Sequence, residues 1–358
     1  MMILLPLAAI AAATPPADPT ITLRNAHGMV VRLIPQGAIV TAVEVPDRDG
    51  HRANVVLGYP TPADYRAKIR KNGFGATIGR YAGRIGGARF AIDGRPVTLV
   101  ANDGANALHG GGPQGFDTVD WTPAAIRRDS VRFTLVSPDG FQNFPGRLTV
   151  SVTYRLAADD ALHIDYRAQT TRPTVLNLTN HSYFNLAGES SGSVDGQYLQ
   201  LRAARLVDTD AGGIPSGRFT PVAGTPFDFR CPHTIGERIA QPPLTPRGYN
   251  HAWLFDKPAG TLAPVARLVD PGSGRTLTIE TTEPSIQAYT GGYIDGSDAG
   301  PGGHVYRPGD GIALEMQHLA DSPNQPSFPS TRLRPGETYR QTTIWRFGVA
   351  AKGAPACN

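Results

Sequence analysis

RLTVSVTYRLAADDALHIDYRA, Arg147 to Ala168, is the stretch that decides the fold. Leu148, Val150, Val152, Tyr154 and Leu156 alternate with Arg147, Thr149, Ser151, Thr153 and Arg155. Successive side chains of a strand point to opposite faces, so this pattern reads as a strand with one buried face. A polar turn at Ala157–Asp160 follows, and then Leu162, Ile164, Tyr166 and Ala168 alternate with His163, Asp165 and Arg167. Two such runs joined by a short turn predict an antiparallel hairpin.

The same period extends outward. Phe90 and Ile92 face Val97 and Leu99 across Asp93-Gly94, a strong two-residue hairpin signal. Val131, Phe133 and Leu135 alternate with Arg132 and Thr134, and Thr276–Thr282 and Ser285–Tyr289 are strand-like. No long helical pattern, internal repeat or linker interrupts them. Short helices are expected only near Pro62–Lys68 and Thr234–Ala240. The 41 glycines and 32 prolines are spread along the chain, as many turns between many strands require. The expectation is an all-β protein, one large antiparallel β-sandwich filling residues 21–350, with a short tail at 351–358.

Composition narrows the function. Charged residues are 18% and hydrophobic residues 40%, values of a folded chain rather than a disordered one. A net charge of +4 without a basic cluster does not point to nucleic acid. Met1 to Ala13 is apolar and uncharged, too short to span a bilayer, and ends in Ala11-Ala12-Ala13. It is expected to be a signal peptide without a basic n-region, followed by a Pro-rich mature start at residues 14–20 and implying a periplasmic or secreted protein. Cys231 and Cys357 are either an exported protein's disulfide or two unrelated thiols.

Chemistry concentrates in a few segments. In NLTNHSYFNLAG, Asn177 to Gly188, amides and hydroxyls surround His181, with Tyr183 and Phe184 behind. This is either a core histidine in a satisfied polar network or a pocket for a polyhydroxylated ligand, where amides match hydroxyls and histidine moves a proton. FGATIGRYAGRIGGARF, Phe74 to Phe90, offers Arg80, Arg84 and Arg89 among glycines but lacks the order of a phosphate loop. His109 precedes three glycines and is either a turn residue or a neutral donor in a pocket. Neither His109 nor His181 has a partner at metal-ligand spacing. Glu315 shares a strand face with Ala313 and Gln317 just before a Pro-rich loop, which makes it either a general base or an arginine's partner. Tyr249-Asn250-His251 and Ile286-Gln287-Ala288-Tyr289 add polar groups on strand-like backbone.

Taken in order, GRYAGRIGGARF, NALHGG, NLTNHSYFNLAG, FDFR, GYNHAW, IQAYTGGYIDG and LEMQHLADSPNQPSFPSTRLRPGETYRQTT resemble the aldose 1-epimerases, or galactose mutarotases. They run from Gly79 to Thr343. The resemblance implies a single β-supersandwich domain with an open sugar cleft, a small-molecule sugar as partner, and no metal or organic cofactor. The protein is expected to be a monomer or weak dimer that does not engage a membrane once the leader is removed. The resemblance places the general acid on His181, the general base on Glu315, and sugar-positioning roles on Arg84, His109, Asn250 and Gln287. The family usually has aspartate where Asn250 stands and often asparagine where Gly83 stands. Three rival readings accompany this one: a non-catalytic sugar-binding protein, a sugar-phosphate epimerase using the arginines, and a glycoside hydrolase. The last would need a second carboxylate beside Glu315.

Overall fold

The computed structural model describes residues 19–244, 248–353 and 355–357. The leader expected at Met1–Ala13 lies outside the described residues. Between Ile21 and Val349 the regular structure of the described residues is almost all β-strand, and the strands of its sheets pair antiparallel. The deciding hairpin forms as read: Leu148–Leu156 pairs with Ala161–Thr170, from Leu148 opposite Thr170 to Leu156 opposite Leu162. Its apolar set is buried: Leu148, Val150, Val152, Tyr154 and Leu156 on one strand, and Leu162, Ile164, Tyr166 and Ala168 on the other.

This hairpin lies in a nine-stranded sheet. In spatial order the sheet runs 122–126, 130–137, 148–156, 161–170, 339–349, 275–281, 263–269, 198–201 and 233–234. A second sheet of six strands runs 183–184, 312–317, 285–289, 250–254, 205–209 and 215–221. A four-stranded sheet formed by residues 21–54 adds to the same core. One hydrophobic cluster takes side chains from all three sheets, including Val152 and Trp345 of the first, Trp253 and Ile286 of the second, and Val31 of the third. The architecture is the antiparallel β-sandwich expected from the two-residue period.

Local signals explain the smaller elements. Asp93 and Gly94 both take positive φ, the geometry of a two-residue hairpin turn, and Phe90 stands opposite Val97. The helix expected at Pro62–Lys68 runs on to Asn72. Thr61 caps its start by accepting from the Asp64 N–H, and Pro62 occupies the first turn. Gly73, at φ 69°, ends it with its N–H on the Ile69 carbonyl. Thr234–Ala240 does not form a helix beyond the single 3₁₀ turn Ile235–Glu237. His233–Thr234 instead pairs with Tyr198–Leu201, and the Gly236 N–H is drawn to the Asp195 carbonyl. Cys231 and Cys357 are joined by a disulfide, their Cα atoms 4.8 Å apart. The two-thiol alternative is thereby set aside, and the end of the chain is tied back to the loop after Phe229.

Candidate active site

Register in the six-stranded sheet assembles one wall. Gln287 stands opposite Glu315, and two residues further along Tyr289 stands opposite Ala313 and Asn250, with Tyr183 on the far side of Ala313. Residues directly opposite across antiparallel strands share a face. Glu315, Gln287, Tyr289, Asn250 and Tyr183 are therefore on one surface of the sheet. Gln287 Nε2 donates to Asn250 Oδ1 at 2.8 Å, which joins the two amides into one unit at the exposed edge. Asn250 N–H donates to His251 Nδ1 at 3.0 Å, and burial lowers the His251 pKa to about 4, so that ring stays a neutral acceptor.

The opposite wall comes from three loops. His181 Nε2 lies 3.6 Å from Glu315 Oε1, and the two side chains are only 7% and 3% exposed. The ring centroids of His109 and His181 are 5.3 Å apart, edge to face. His109 sits at φ 51° and exchanges two hydrogen bonds with Gly83: its backbone N–H donates to the Gly83 carbonyl, and the Gly83 N–H donates to its Nδ1. With Nδ1 accepting, the neutral ring carries its proton on Nε2. Burial holds the His109 pKa well below the ordinary histidine value, and the charges of His181, Arg84 and Arg70 push it the same way. His109 is thus a fixed neutral donor. The glycines after it are a packing requirement: a Cβ on Gly110 would come 2.4 Å from the Gly79 carbonyl oxygen. Arg70 holds this loop from below, donating to both oxygens of buried Asp117 and to the Gly112 carbonyl.

Arg84 donates through Nε to Asp103 Oδ2 at 2.7 Å and lies close enough to influence both Glu315 and His109. Burial raises the Glu315 pKa, while His181 and Arg84 oppose that rise. Donor atoms of His109, His181 and Glu315 all lie within 4.8 Å of one another, close enough to share a divalent cation. The charge of Arg84 beside them works against one.

Two readings of the sequence need correction. The amides and hydroxyls around His181 are engaged inside the fold. Asn180 donates to the Gly75 carbonyl and accepts from Ser182 N–H and Oγ. Asn185 donates to the carbonyls of Gly192 and Asp310. Asn177 bonds to Ala82 and His318. They hold the histidine's loop rather than offer themselves to a ligand. Of the three clustered arginines only Arg84 reaches the site. Arg80 is buried, and it donates to Ser137 Oγ and to the carbonyls of Ser137, Pro138, Pro145 and Gly146. Arg89 is exposed.

His181 itself is not in a satisfied network. Its Nδ1, Glu315 Oε2 and Gln317 Oε1 are buried polar atoms without a hydrogen-bond partner among the described residues. Unmet capacity of this kind, side by side on two walls, marks a working site rather than a scaffold. Sequence reasoning missed the roles of Asp103 and of Arg70 with Asp117. Only register and tertiary contact bring these residues to the site.

Residues 19–346 match the aldose 1-epimerase family. The chain belongs to that family. Galactose mutarotase from Sus scrofa is 41% identical over 320 residues, 89% of this chain and 91% of the relative. Aldose 1-epimerase from Escherichia coli K12 is 39% identical over 331 residues, 91% and 94% of the two chains. Among solved structures, the GalM/aldose epimerase homologue from C. elegans superposes with a TM-score of 0.86 at 28% identity, covering 94% of this chain and 100% of that one. Galactose 1-epimerase from Lactobacillus acidophilus NCFM gives 0.78 at 28% identity, with 92% and 94% covered. The chain is accordingly an isomerase of carbohydrate metabolism that interconverts the anomers of an aldose.

Proposed function

We propose that the substrates are free aldohexoses such as galactose and glucose, that His181 and Glu315 carry the acid/base chemistry, and that the enzyme works in the periplasm or outside the cell. The observation that carries the catalytic assignment is the 3.6 Å approach of His181 Nε2 to Glu315 Oε1. Opening a cyclic hemiacetal removes a proton from the C1 hydroxyl, breaks the bond from C1 to the ring oxygen, and protonates that oxygen. Both oxygens are attached to C1, so the base and the acid that serve them must be neighbours.

Glu315, ionised, takes the hydroxyl proton as the C1 carbonyl forms. His181, as imidazolium, gives its Nε2 proton to the departing ring oxygen. The open chain turns about C1–C2 and presents the other face of the carbonyl. The hydroxyl then returns its proton to His181, while the protonated carboxyl of Glu315 reprotonates the new C1 oxygen. A base whose pKa is raised by burial is better matched to neutral pH than an ordinary carboxylate. His109, fixed as a donor, together with Arg84, Gln287 and Asn250, positions the other hydroxyls.

A sugar-phosphate substrate is less well served, because the Arg80 donors are taken up by the fold and Arg84 already answers Asp103. The Cys231–Cys357 bond and the apolar Met1–Ala13 run favour export. The test is polarimetry of freshly dissolved α-D-galactose and α-D-glucose. Enzyme should speed the approach to anomeric equilibrium. No acceleration with either sugar, or faster turnover of a hexose 6-phosphate, would remove the substrate assignment.

A further inference from the structure

Gln317 stands two residues beyond Glu315 on the same strand, about 7 Å along it, and side chains two apart in a strand share a face. It lies on the far side of Glu315 from Asn250. Its partner in the neighbouring strand is Ser285, whereas Glu315 stands opposite Gln287 and Ala313 opposite Tyr289. The side chain is buried, and its Oε1 is an acceptor with no hydrogen-bond partner among the described residues. A buried acceptor left unbonded destabilises a fold, and such atoms gather where a ligand completes them.

The backbone beneath this amide is fixed. Ser285 Oγ donates to the Gln317 carbonyl at 2.6 Å, and the next N–H, of His318, donates to Asn177 Oδ1 at 2.9 Å. The nitrogen end of the amide faces Gly83: a Cβ on that residue would come 3.3 Å from Gln317 Nε2. Gly83, at φ 77°, carries no such atom, and its own N–H and carbonyl are both taken by His109. The amide therefore sits between the base's strand and the segment that carries Arg84 and holds His109. Carried on a rigid strand with its oxygen unbonded, it is preorganised to meet a sugar hydroxyl.

We propose that Gln317 is a further sugar-binding residue, whose amide bonds a hydroxyl of the substrate from the side opposite Asn250. This rests on the assignment of Glu315 and His181 to the reacting C1. Those two groups answer both oxygens on C1, so Gln317 takes a hydroxyl on another carbon.

The experiment compares wild type with Gln317→Met, which keeps the length of the side chain but removes the amide, and with Gln317→Ala. kcat and KM are measured by polarimetry on glucose or galactose, whichever the wild type turns over faster, and on the 2-, 3-, 4- and 6-deoxy forms of that sugar. Thermal melts accompany them. In Gln317→Met, KM for the parent sugar should rise about three- to tenfold with kcat within about twofold of wild type, as loss of a contact made equally in ground and transition states requires. The melting temperature should equal or exceed that of wild type, because an unbonded buried acceptor has been removed. On the deoxy sugar that lacks the bonded hydroxyl, variant and wild type should agree within about twofold, while the loss persists on the other three. Gln317→Ala should show the same dependence on the sugar, which keeps the test decisive where the longer side chain does not fit. No loss on the parent sugar, or an equal loss on it and on all four deoxy forms, would overturn the contact. A wild type that accelerates neither glucose nor galactose would overturn the acid/base assignment itself, and the contact with it.

Discussion

Glu315 trades stability for rate. Its carboxyl is buried and its pKa is raised, with burial the larger influence and His181 and Arg84 opposing it. A group whose folded pKa lies above its unfolded value is stabilised in the protonated form. Relative to a neutral isostere, the ionised carboxylate therefore costs stability once pH rises through the folded pKa. Glu315→Gln should lower kcat/KM by about 10²- to 10⁴-fold, as removal of a general base does. Its melting temperature at pH 7 should equal or exceed that of wild type, and the difference should shrink as the pH is lowered into the ordinary glutamate range. A folded Glu315→Gln protein with near-normal rate would end the assignment. The acid limb of the wild-type kcat/KM profile should lie above the ordinary glutamate range. Arg84→Gln removes a positive charge that favours the carboxylate, so the limb should move further up in addition to any rise in KM. A limb that stays in place would show that Arg84 binds without tuning the base. His109 should contribute no limb near neutrality, because burial and three nearby positive groups keep it neutral there.

At the scale of elements, the two halves of the site depend on Asn177. It is fully buried. Its Nδ2 donates to the carbonyls of Ala82 and His318, both at 3.0 Å, and its Oδ1 accepts from the His318 N–H at 2.9 Å. Ala82 leads into Gly83 and Arg84, and His318 follows the strand of Glu315. One side chain thus fastens the arginine's segment to the base's strand. Asn177→Ala leaves buried backbone groups unpaired, at about 1–3 kcal/mol for each. It should lower the melting temperature and reduce kcat, because small displacements of reacting groups are costly. Asn177→Asp keeps the acceptor for His318 but opposes a charge to two carbonyls, and should be at least as damaging. Wild-type stability of Asn177→Ala in thermal or urea unfolding would contradict this role. The same residue shows what the sequence could and could not convey. The hairpin at Arg147–Ala168 was legible because one face meets water and the other does not. His181 and Glu315 were legible as chemistry out of place on strand-like backbone. The use of Asn177, Asn180 and Asn185 was not, since an amide facing a ligand and an amide facing a carbonyl are the same letter. Nor was the meeting of Gln287 with Glu315, which comes from strand register, or the capture of Arg84 by Asp103, which comes from a loop far from the cleft strands.

For the molecule as a whole, the remaining question is where it works. Both ends of the sequence bear on that. The run Met1–Ala13 carries no charged residue and ends in Ala11-Ala12-Ala13, while Cys357, eight residues beyond the last strand, is bonded to Cys231. A covalent tie across 126 residues restricts the unfolded chain, a stabilisation of about 2–4 kcal/mol in typical cases. Such bonds form and persist mainly in oxidising compartments. Export therefore predicts two changes in one intact-mass measurement on protein recovered from a periplasmic or culture fraction. The mass should fall by that of Met1–Ala13, placing Thr14 at the new terminus, and no thiol should react with an alkylating reagent until a reductant is added. Cys357→Ser should then melt several degrees lower while its mutarotation rate at 25 °C is unchanged, because neither cysteine belongs to the group around Glu315. A full-length mass with two freely alkylated thiols would place the folded enzyme in a reducing compartment and remove the case for export.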